Sequence, residues 1–293
     1  MTADAGPVAV LGVGAMGQGM ADSLLRAGIR TVVWDRDVEA AARLGVRGAT
    51  VAVTAEEAVA GAAIAITMVP DAAAVLSVAL ESRMLRALPS GAVWAQMSTI
   101  GVEGTDRVAA LVASERPDVT FVDAPVSGTR GPAEQGRLTI FASGPDSARA
   151  RLAPIFDALG QRTLWLGPAG LGSRLKLVNN TLLAFIVEGI AESISLAHSL
   201  SLTTQAVIDG VASGPLASAY TNAKMQRIAD GEYGPEYSLA LGLKDVRLAL
   251  DAGDEQLPVL AQLASTWQVL VDRGLGHEDV TVVTRALDRI AAS

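Results

Sequence analysis

Short apolar runs separated by segments of helical period dominate the first half of the chain. Residues 7–11 read as a buried strand, and 16–27 as a helix that stops at Gly28. Apolar runs at 31–34, 62–68, 92–97 and 120–122 read as four more strands. Strands alternating with helices predict a parallel sheet with crossover helices. Two later runs, 138–142 and 163–166, are expected to extend the same sheet.

Past Gly167-Pro168 the pattern changes. From Ser173 to residue 200 the apolar positions never alternate at period 2, which predicts a helix well beyond the roughly 11–12 residues of an average one. Such a helix can join two domains. Only helical patterns follow, at 204–212, 219–229, 238–252, 258–273 and 278–291. The expected architecture is α/β: a sheet domain over residues 1–167, and an all-α C-terminal domain over 168–293 joined to it by the long interdomain helix.

Composition narrows the function classes. The 293 residues suffice for two domains with real cores. Half are hydrophobic, yet no uninterrupted apolar run reaches about 18 residues, so no membrane span is expected. Met1 to Asp4 holds an acid and no basic stretch, so no secretory signal is expected either. Cysteine is absent, which excludes disulfide and thiolate chemistry. His198 and His277 lie far apart without metal-site spacing, so neither a histidine-based metal site nor a Ser-His-Asp triad is expected. His198 follows Ala197 in an apolar helix and is expected to pack there. A net charge of −8 argues against a nucleic-acid surface. The expectation is a cytoplasmic protein that handles a small-molecule substrate.

The strand at 7–11 runs straight into Gly12-x-Gly14-Ala15-Met16-Gly17 and then into a helix. Gly12 permits the tight turn, Gly14 lets backbone approach a pyrophosphate, and Gly17 permits close helix–strand packing. The N–H groups of the helix start then face the phosphate charge. Asp35 ends the next strand, completing the strand, loop, helix and acid of a Rossmann dinucleotide site. Its carboxylate suits the ribose hydroxyls of NAD and repels a 2′-phosphate, whereas Arg36 suits the phosphate of NADP. The two residues argue opposite ways, with NAD slightly favoured by Asp35. Three later segments follow successive strands: Met68-Val69-Pro70-Asp71, Ser98-Thr99 and Asp123-Ala124-Pro125-Val126-Ser127-Gly128-Thr129. Ligands of open parallel sheets collect at the carboxyl ends of strands, so these loops can line one crevice.

In Gly170-Leu171-Gly172-Ser173-Arg174-Leu175-Lys176-Leu177-Val178-Asn179-Asn180, one amine and two carboxamides share a helical face. An ammonium beside amides can bind, orient and protonate a carbonyl oxygen. Hydride transfer to a carbonyl carbon builds negative charge on its oxygen, and Lys176 would stabilise and protonate it. Burial would lower the lysine pKa and a substrate carboxylate would raise it again.

Four ordered motifs, the loop Gly12-x-Gly14-x-Met16-Gly17-x-x-Met20-Ala21, Asp123 to Gly128, Gly170 to Asn180, and Lys244-Asp245, resemble those of the β-hydroxyacid dehydrogenases. That group includes 3-hydroxyisobutyrate dehydrogenase and tartronate semialdehyde reductase, and the resemblance covers nearly the whole chain. It implies Lys176 as catalytic acid/base, Ser127 and Gly128 as the grip on a substrate carboxylate, and Asn180 as a substrate contact. It places Thr99 and Lys244 near the nicotinamide. Thr129 stands where many members have a second glycine, and the continuation to Gly136 resembles the glyoxylate and succinic semialdehyde reductase branch. That branch favours NADPH and carries Asn in place of Asp35. Gln96 stands where relatives often have Asp. Lys244-Asp245 also reads as a solvated pair, Tyr237 and Trp165 as core or wall residues, and Arg130 as either a contact for a distal acid group or a surface arginine. An imine reductase shares the architecture but generally lacks the lysine. A silent dinucleotide-binding protein is the non-enzymatic alternative. The broad apolar helical faces, and the family, imply a homodimer.

Overall fold

The computed structural model describes residues 6–253, 257–285 and 287. The chain divides into two compact units, Met1–Lys176 and Leu177–Ser293, so the division falls inside the long helix.

The first unit begins β1 (Val8–Leu11), α1 (Ala15–Arg26), β2 (Thr31–Trp34), α2 (Val38–Gly45), β3 (Thr50–Val51), α3 (Ala55–Val59), β4 (Ile64–Thr67), α4 (Ala72–Leu76), α5 (Met84–Ala87), β5 (Val93–Gln96), α6 (Gly101–Glu115) and β6 (Thr120–Asp123). Six strands form one parallel sheet in the order β3-β2-β1-β4-β5-β6. The order reverses between β1 and β4, which is the switch point where such sheets open a crevice. β1 and β4 are buried along their whole length because helices cover both faces. One core joins Val10, Met20, Leu24 and Ile66, and the other joins Leu11, Val75, Trp94 and Val108. β3 at the edge of the sheet is only two residues long, and both are exposed, so it is too short for a strand pattern to mark it.

The runs at 138–142 and 163–166 do not extend this sheet. β7 (Val126–Ser127), α7 (Arg130–Glu134), β8 (Leu138–Ala142), α8 (Arg149–Leu159) and β9 (Gly160–Trp165) follow, and the three strands form a second sheet in the order β7-β8-β9. β7 pairs antiparallel with β8, and β8 pairs parallel with β9. Pro125 has no N–H for a ladder, so β6 stops and the chain turns to pair Val126 with Ile140. An isolated bridge between Asp123 and Ser143 marks where β6 and β8 meet.

The long helix is α9 (Leu171–Ser199), followed by α10 (Thr204–Val211), α11 (Ala219–Ala229), α12 (Leu239–Ala252) and α13 (Pro258–Leu270). The hydroxyls of Thr203, Ser218 and Ser238 cap α10, α11 and α12, which explains why those starts were legible. Ile190 and Ile194 of α9 pack with Met225 and Ile228 of α11. By length and composition α9 is apolar enough to cross a membrane, and a third of its most apolar stretch is buried inside the fold. The helix expected at 258–273 stops at Leu270 and unwinds through Gly274, whose φ is +86°. At 278–291 the described part opens with a short turn at Val280–Val282, capped by Asp279; residues 286 and 288–291 lie outside the described residues.

Candidate active site

The glycine loop is built by close contacts. A side chain at Gly12, where φ is +92°, would meet the Met68 carbonyl at 2.4 Å. One at Gly17 would fall 1.9 Å from the Gly12 carbonyl, so α1 starts directly against the turn. Gly14 differs, because nothing lies within 4 Å of the place a side chain would take. α1 also begins with no capping side chain and no acid in its first turn. An open backbone at an uncapped helix start suits a pyrophosphate, so the residues present fit a dinucleotide.

Asp35 directly follows β2 beside this loop. Its Oδ2 accepts the Val13 N–H at 2.6 Å and its Oδ1 accepts the Asp37 N–H at 2.9 Å. The carboxylate is therefore set against the glycine loop, while the Arg36 side chain is exposed. The loops after β1, β4, β5 and β6 line one edge of the sheet. After β4, the Val69 N–H donates to the Ser98 hydroxyl at 2.8 Å. After β5, Gln96 grips Ser98 at two points: its amide donates to the Ser98 carbonyl at 2.9 Å and its carbonyl accepts the Ser98 N–H at 2.7 Å. That is the consequence of having Gln at 96, because an aspartate could not donate. Thr99 follows directly.

Asp123 ends β6, fully buried, and accepts from the start of α9: the Ser173 N–H at 2.8 Å and the Ser173 hydroxyl at 2.7 Å. The Ser143 hydroxyl donates to it at 3.1 Å. Burial pushes the Asp123 carboxyl above the ordinary carboxylate range, against the pull of the Ser173 and Ser143 donors. Lys176 lies one turn beyond Ser173 and is itself only 8 % exposed. Ser127 sits in β7 opposite Thr139. Gly128 holds φ of +137°, with Leu138 and Pro132 filling the place of a side chain. Thr129 precedes α7 in an extended conformation and makes no capping bond. Arg130 pairs with Glu134 along α7 at 2.7 Å, the surface arrangement of its two readings.

In the second unit, Asn180 is 3 % exposed and donates to Asp245 Oδ2 at 2.6 Å, while its own carbonyl accepts from Asn179 at 3.1 Å. The Tyr237 hydroxyl donates to the same Asp245 oxygen at 2.6 Å. Lys244 Nζ lies 2.9 Å from the other oxygen, Oδ1, as an ion pair without hydrogen-bond alignment. Asp245 is buried, so Lys244-Asp245 is not a solvated pair, and Tyr237 is a specific contact rather than plain wall. Burial and then the Asp245 charge push the Tyr237 phenol well above its ordinary value, which keeps it a donor. Asp279 holds the Tyr237 and Glu236 N–H groups at 3.1 and 3.3 Å and pairs with buried Lys224 at 2.9 Å.

Nucleotide-loop residues Gly12 to Gly17, Asp35, Met68 to Pro70 and Thr99 thus lie along the carboxyl edge of the six-stranded sheet. Lys176 belongs to the same unit, and Asn180 stands one turn further along α9. The hydrogen bonds by which Asp123, Gln96, Tyr237 and Asp245 hold these segments were not legible in the sequence; the one signal for Asp245 was its adjacency to Lys244. His198 does not pack: it is exposed and meets the Thr204 hydroxyl at 3.0 Å. Trp165 is a wall residue beside Phe156, with Arg149 over its ring at 5.2 Å. No group of metal-ligating side chains occurs among the described residues.

Comparison with known proteins converges on one family. Residues 7–167 match the NAD binding domain of 6-phosphogluconate dehydrogenase, and residues 170–287 match the NAD-binding segment of NADP-dependent 3-hydroxyisobutyrate dehydrogenase. Glyoxylate/succinic semialdehyde reductase 1 of Arabidopsis thaliana is 30 % identical over 284 residues, spanning 96 % of this chain and 98 % of the relative. 2-(Hydroxymethyl)glutarate dehydrogenase of Eubacterium barkeri is 29 % identical, spanning 97 % and 95 %. The crystal structure of 3-hydroxyisobutyrate dehydrogenase from Salmonella typhimurium superposes with a TM-score of 0.87 at 28 % identity, over 95 % of this chain and 99 % of that one. The chain belongs to the β-hydroxyacid dehydrogenase family and is an NAD(P)-dependent oxidoreductase of the 3-hydroxyisobutyrate dehydrogenase type, acting on CH–OH groups.

Proposed function

We propose that the chain reduces small aldehydes or keto acids that carry a carboxylate, of the glyoxylate, succinic semialdehyde or tartronate semialdehyde type, and oxidises 3- or 4-hydroxy acids in reverse. The supporting observation is Lys176, a buried amine one turn beyond the Asp123-held start of α9, in the same unit as the nucleotide loop. A bound dihydronicotinamide supplies the hydride. The Lys176 ammonium stabilises the charge that grows on the carbonyl oxygen and passes its proton to that oxygen. Asn180 has two amide N–H donors; one goes to Asp245, and the other is assigned to a substrate oxygen. The Ser127 hydroxyl and the Gly128 backbone are assigned to the substrate carboxylate.

NAD is the preferred cofactor in this reading. Both Asp35 oxygens are tethered at the end of β2, where a 2′-phosphate would sit beside a held negative charge. A homodimer is also proposed, with a second copy covering the exposed Val178, Leu182 and Phe185 of α9.

The test is dihydronicotinamide absorbance with NADH or NADPH and a panel of aldehydes with and without an acid group. Turnover confined to the acid-bearing members, faster with NADH, is expected. Normal cofactor binding without oxidation by any of them would sink the reductase assignment, and equal rates with plain aldehydes would remove the carboxylate grip.

A further inference from the structure

We propose that Asp123 is a positioning residue: it locks the first turn of α9 to the end of β6 and so sets Lys176 against the Ser127–Gly128 segment. The proposal rests on the reading of Lys176 as proton donor and deepens it.

The first N–H groups of any helix lack partners within the helix. Gly172 and Ser173, in the first turn of α9, are both buried, so the protein must supply acceptors for their N–H groups. Asp123 takes both Ser173 donors, N–H and O–H, on its two oxygens. A two-point grip on one residue restrains rotation of the helix about its axis as well as its position. The Ser143 hydroxyl accepts the Gly172 N–H at 2.9 Å and donates to Asp123. The Asp123 and Ser143 backbones exchange two further bonds, at 2.9 and 2.7 Å. Thr105 of α6 touches the Ser173 hydroxyl at 2.8 Å, adding a third element to the knot. A side chain at 172 would come 2.1 Å from the Phe141 carbonyl, so the helix backbone lies directly on β8.

On one side of the knot, Lys176 is the next turn of α9. On the other, only Ala124, Pro125 and Val126 separate Asp123 from Ser127. Helix Cα atoms lie about 2.3 Å from the axis and a lysine amine several ångströms further out, so a rotation of about 10° moves the amine by about 1 Å. Misplacement of that size costs on the order of a hundredfold in rate. A carboxylate suits the place because it accepts at every position. Asparagine has the same shape, but its NH2 group would face a donor.

The experiment uses Asp123→Asn and, as a milder variant that leaves the carboxylate in place, Ser173→Ala. Active sites are counted by NADH titration, and kcat per titrated site is measured with the best acid-bearing aldehyde. Independently of turnover, the acetylation rate of Lys176 by an amine-reactive ester is read by mass spectrometry against Lys244. Asp123→Asn is expected to lower kcat per site by about tenfold to a hundredfold, to leave NADH affinity within about twofold, and to change the relative Lys176 labelling by about threefold or more. Ser173→Ala should move both readouts in the same direction by less. Unchanged kcat per site and unchanged labelling in both variants overturn the proposal, as does a kcat loss fully accounted for by lost NADH sites. If the wild-type chain reduces no acid-bearing aldehyde, the reductase reading fails, and the labelling arm alone then decides: changed labelling supports Asp123 as the positioning residue, and unchanged labelling refutes it.

Discussion

Replacing Lys224 by Met should destabilise the helical unit, and the structure sets the size and the pH dependence of the loss. Lys224 is 2 % exposed and its partner Asp279 is fully buried. Removing one partner of a buried ion pair costs about 3–5 kcal/mol, because the remaining charge is left uncompensated. Asp279 keeps other donors, the Tyr237 and Thr281 N–H groups at 3.1 and 3.2 Å and the Thr281 hydroxyl at 3.0 Å. These place the effect at the lower end, about 3 kcal/mol, or about 10 °C for a unit of this size. Burial acts to raise the Asp279 carboxyl, but Lys224 and the hydrogen bonds outweigh it and leave the group below its ordinary value of 3.8. A depressed carboxylate stabilises the fold above its unfolded pKa and loses that contribution as pH falls through the folded value. Without Lys224, burial prevails and the Asp279 pKa rises, so acidification then favours the folded variant. The gap between wild type and Lys224→Met must therefore be smaller at pH 4 than at pH 7, because the variant's raised carboxyl takes up its proton first. Amide hydrogen exchange in α11 and α12 against urea, at pH 7 and at pH 4, reads both terms in the right unit. Adding Asp279→Asn to the variant should recover part of the loss. A stability loss under about 1 kcal/mol at pH 7, or a gap that widens in acid, would refute this account of the pair.

Three further outcomes follow from the candidate site. Lys176→Ala should keep NADH affinity and lose about a thousandfold or more in kcat, read by single-turnover absorbance; retained turnover would mean that another group donates the proton. Asp35→Asn keeps an acceptor for the Val13 N–H but removes the charge, so the ratio of kcat/KM for NADPH over NADH should rise by about tenfold, and an unchanged ratio would acquit Asp35. Gln96→Glu replaces the donor to the Ser98 carbonyl by a second acceptor in a fully buried place. It should cost about 2 kcal/mol or more by thermal denaturation and weaken NADH binding through the displaced Ser98-Thr99 segment; wild-type stability would show that Gln96 does not hold that loop.

Legibility followed the range over which each feature is determined. Gly12, Gly14 and Gly17 were readable because each answers a local requirement of turn or packing, and Asp35 because its distance from the loop is set by one strand–helix–strand unit. That Lys176 and Asn180 share a buried face of α9 was readable because a helix face is a local periodicity. The second sheet was not, since Leu138–Ala142 carries the same apolar pattern whether it joins β6 or pairs with Val126–Ser127. The choice depends on where Pro125 interrupts the ladder. His198 misled for a related reason: an apolar neighbourhood in sequence does not say which side of the helix meets solvent.

The two least legible features have one physical form. Asp123 in the first unit and Asp279 in the second are both fully buried, and each gathers donors from segments distant in sequence. Apolar packing alone resists sliding and rotation weakly, because many neighbouring arrangements bury similar area. A buried carboxylate discriminates sharply, since any shift that leaves one of its donors or its own charge unsatisfied costs more than the contact returned. Each of these aspartates is also a short step from a group assigned to the chemistry. Asp123 holds the turn before Lys176, and Asp279 holds the Tyr237 backbone, whose hydroxyl meets the Asp245 that orients Asn180. Helix period and strand alternation can bring an amine or a carboxamide to the correct face, but setting it to within about an ångström falls to charges that no local pattern announces.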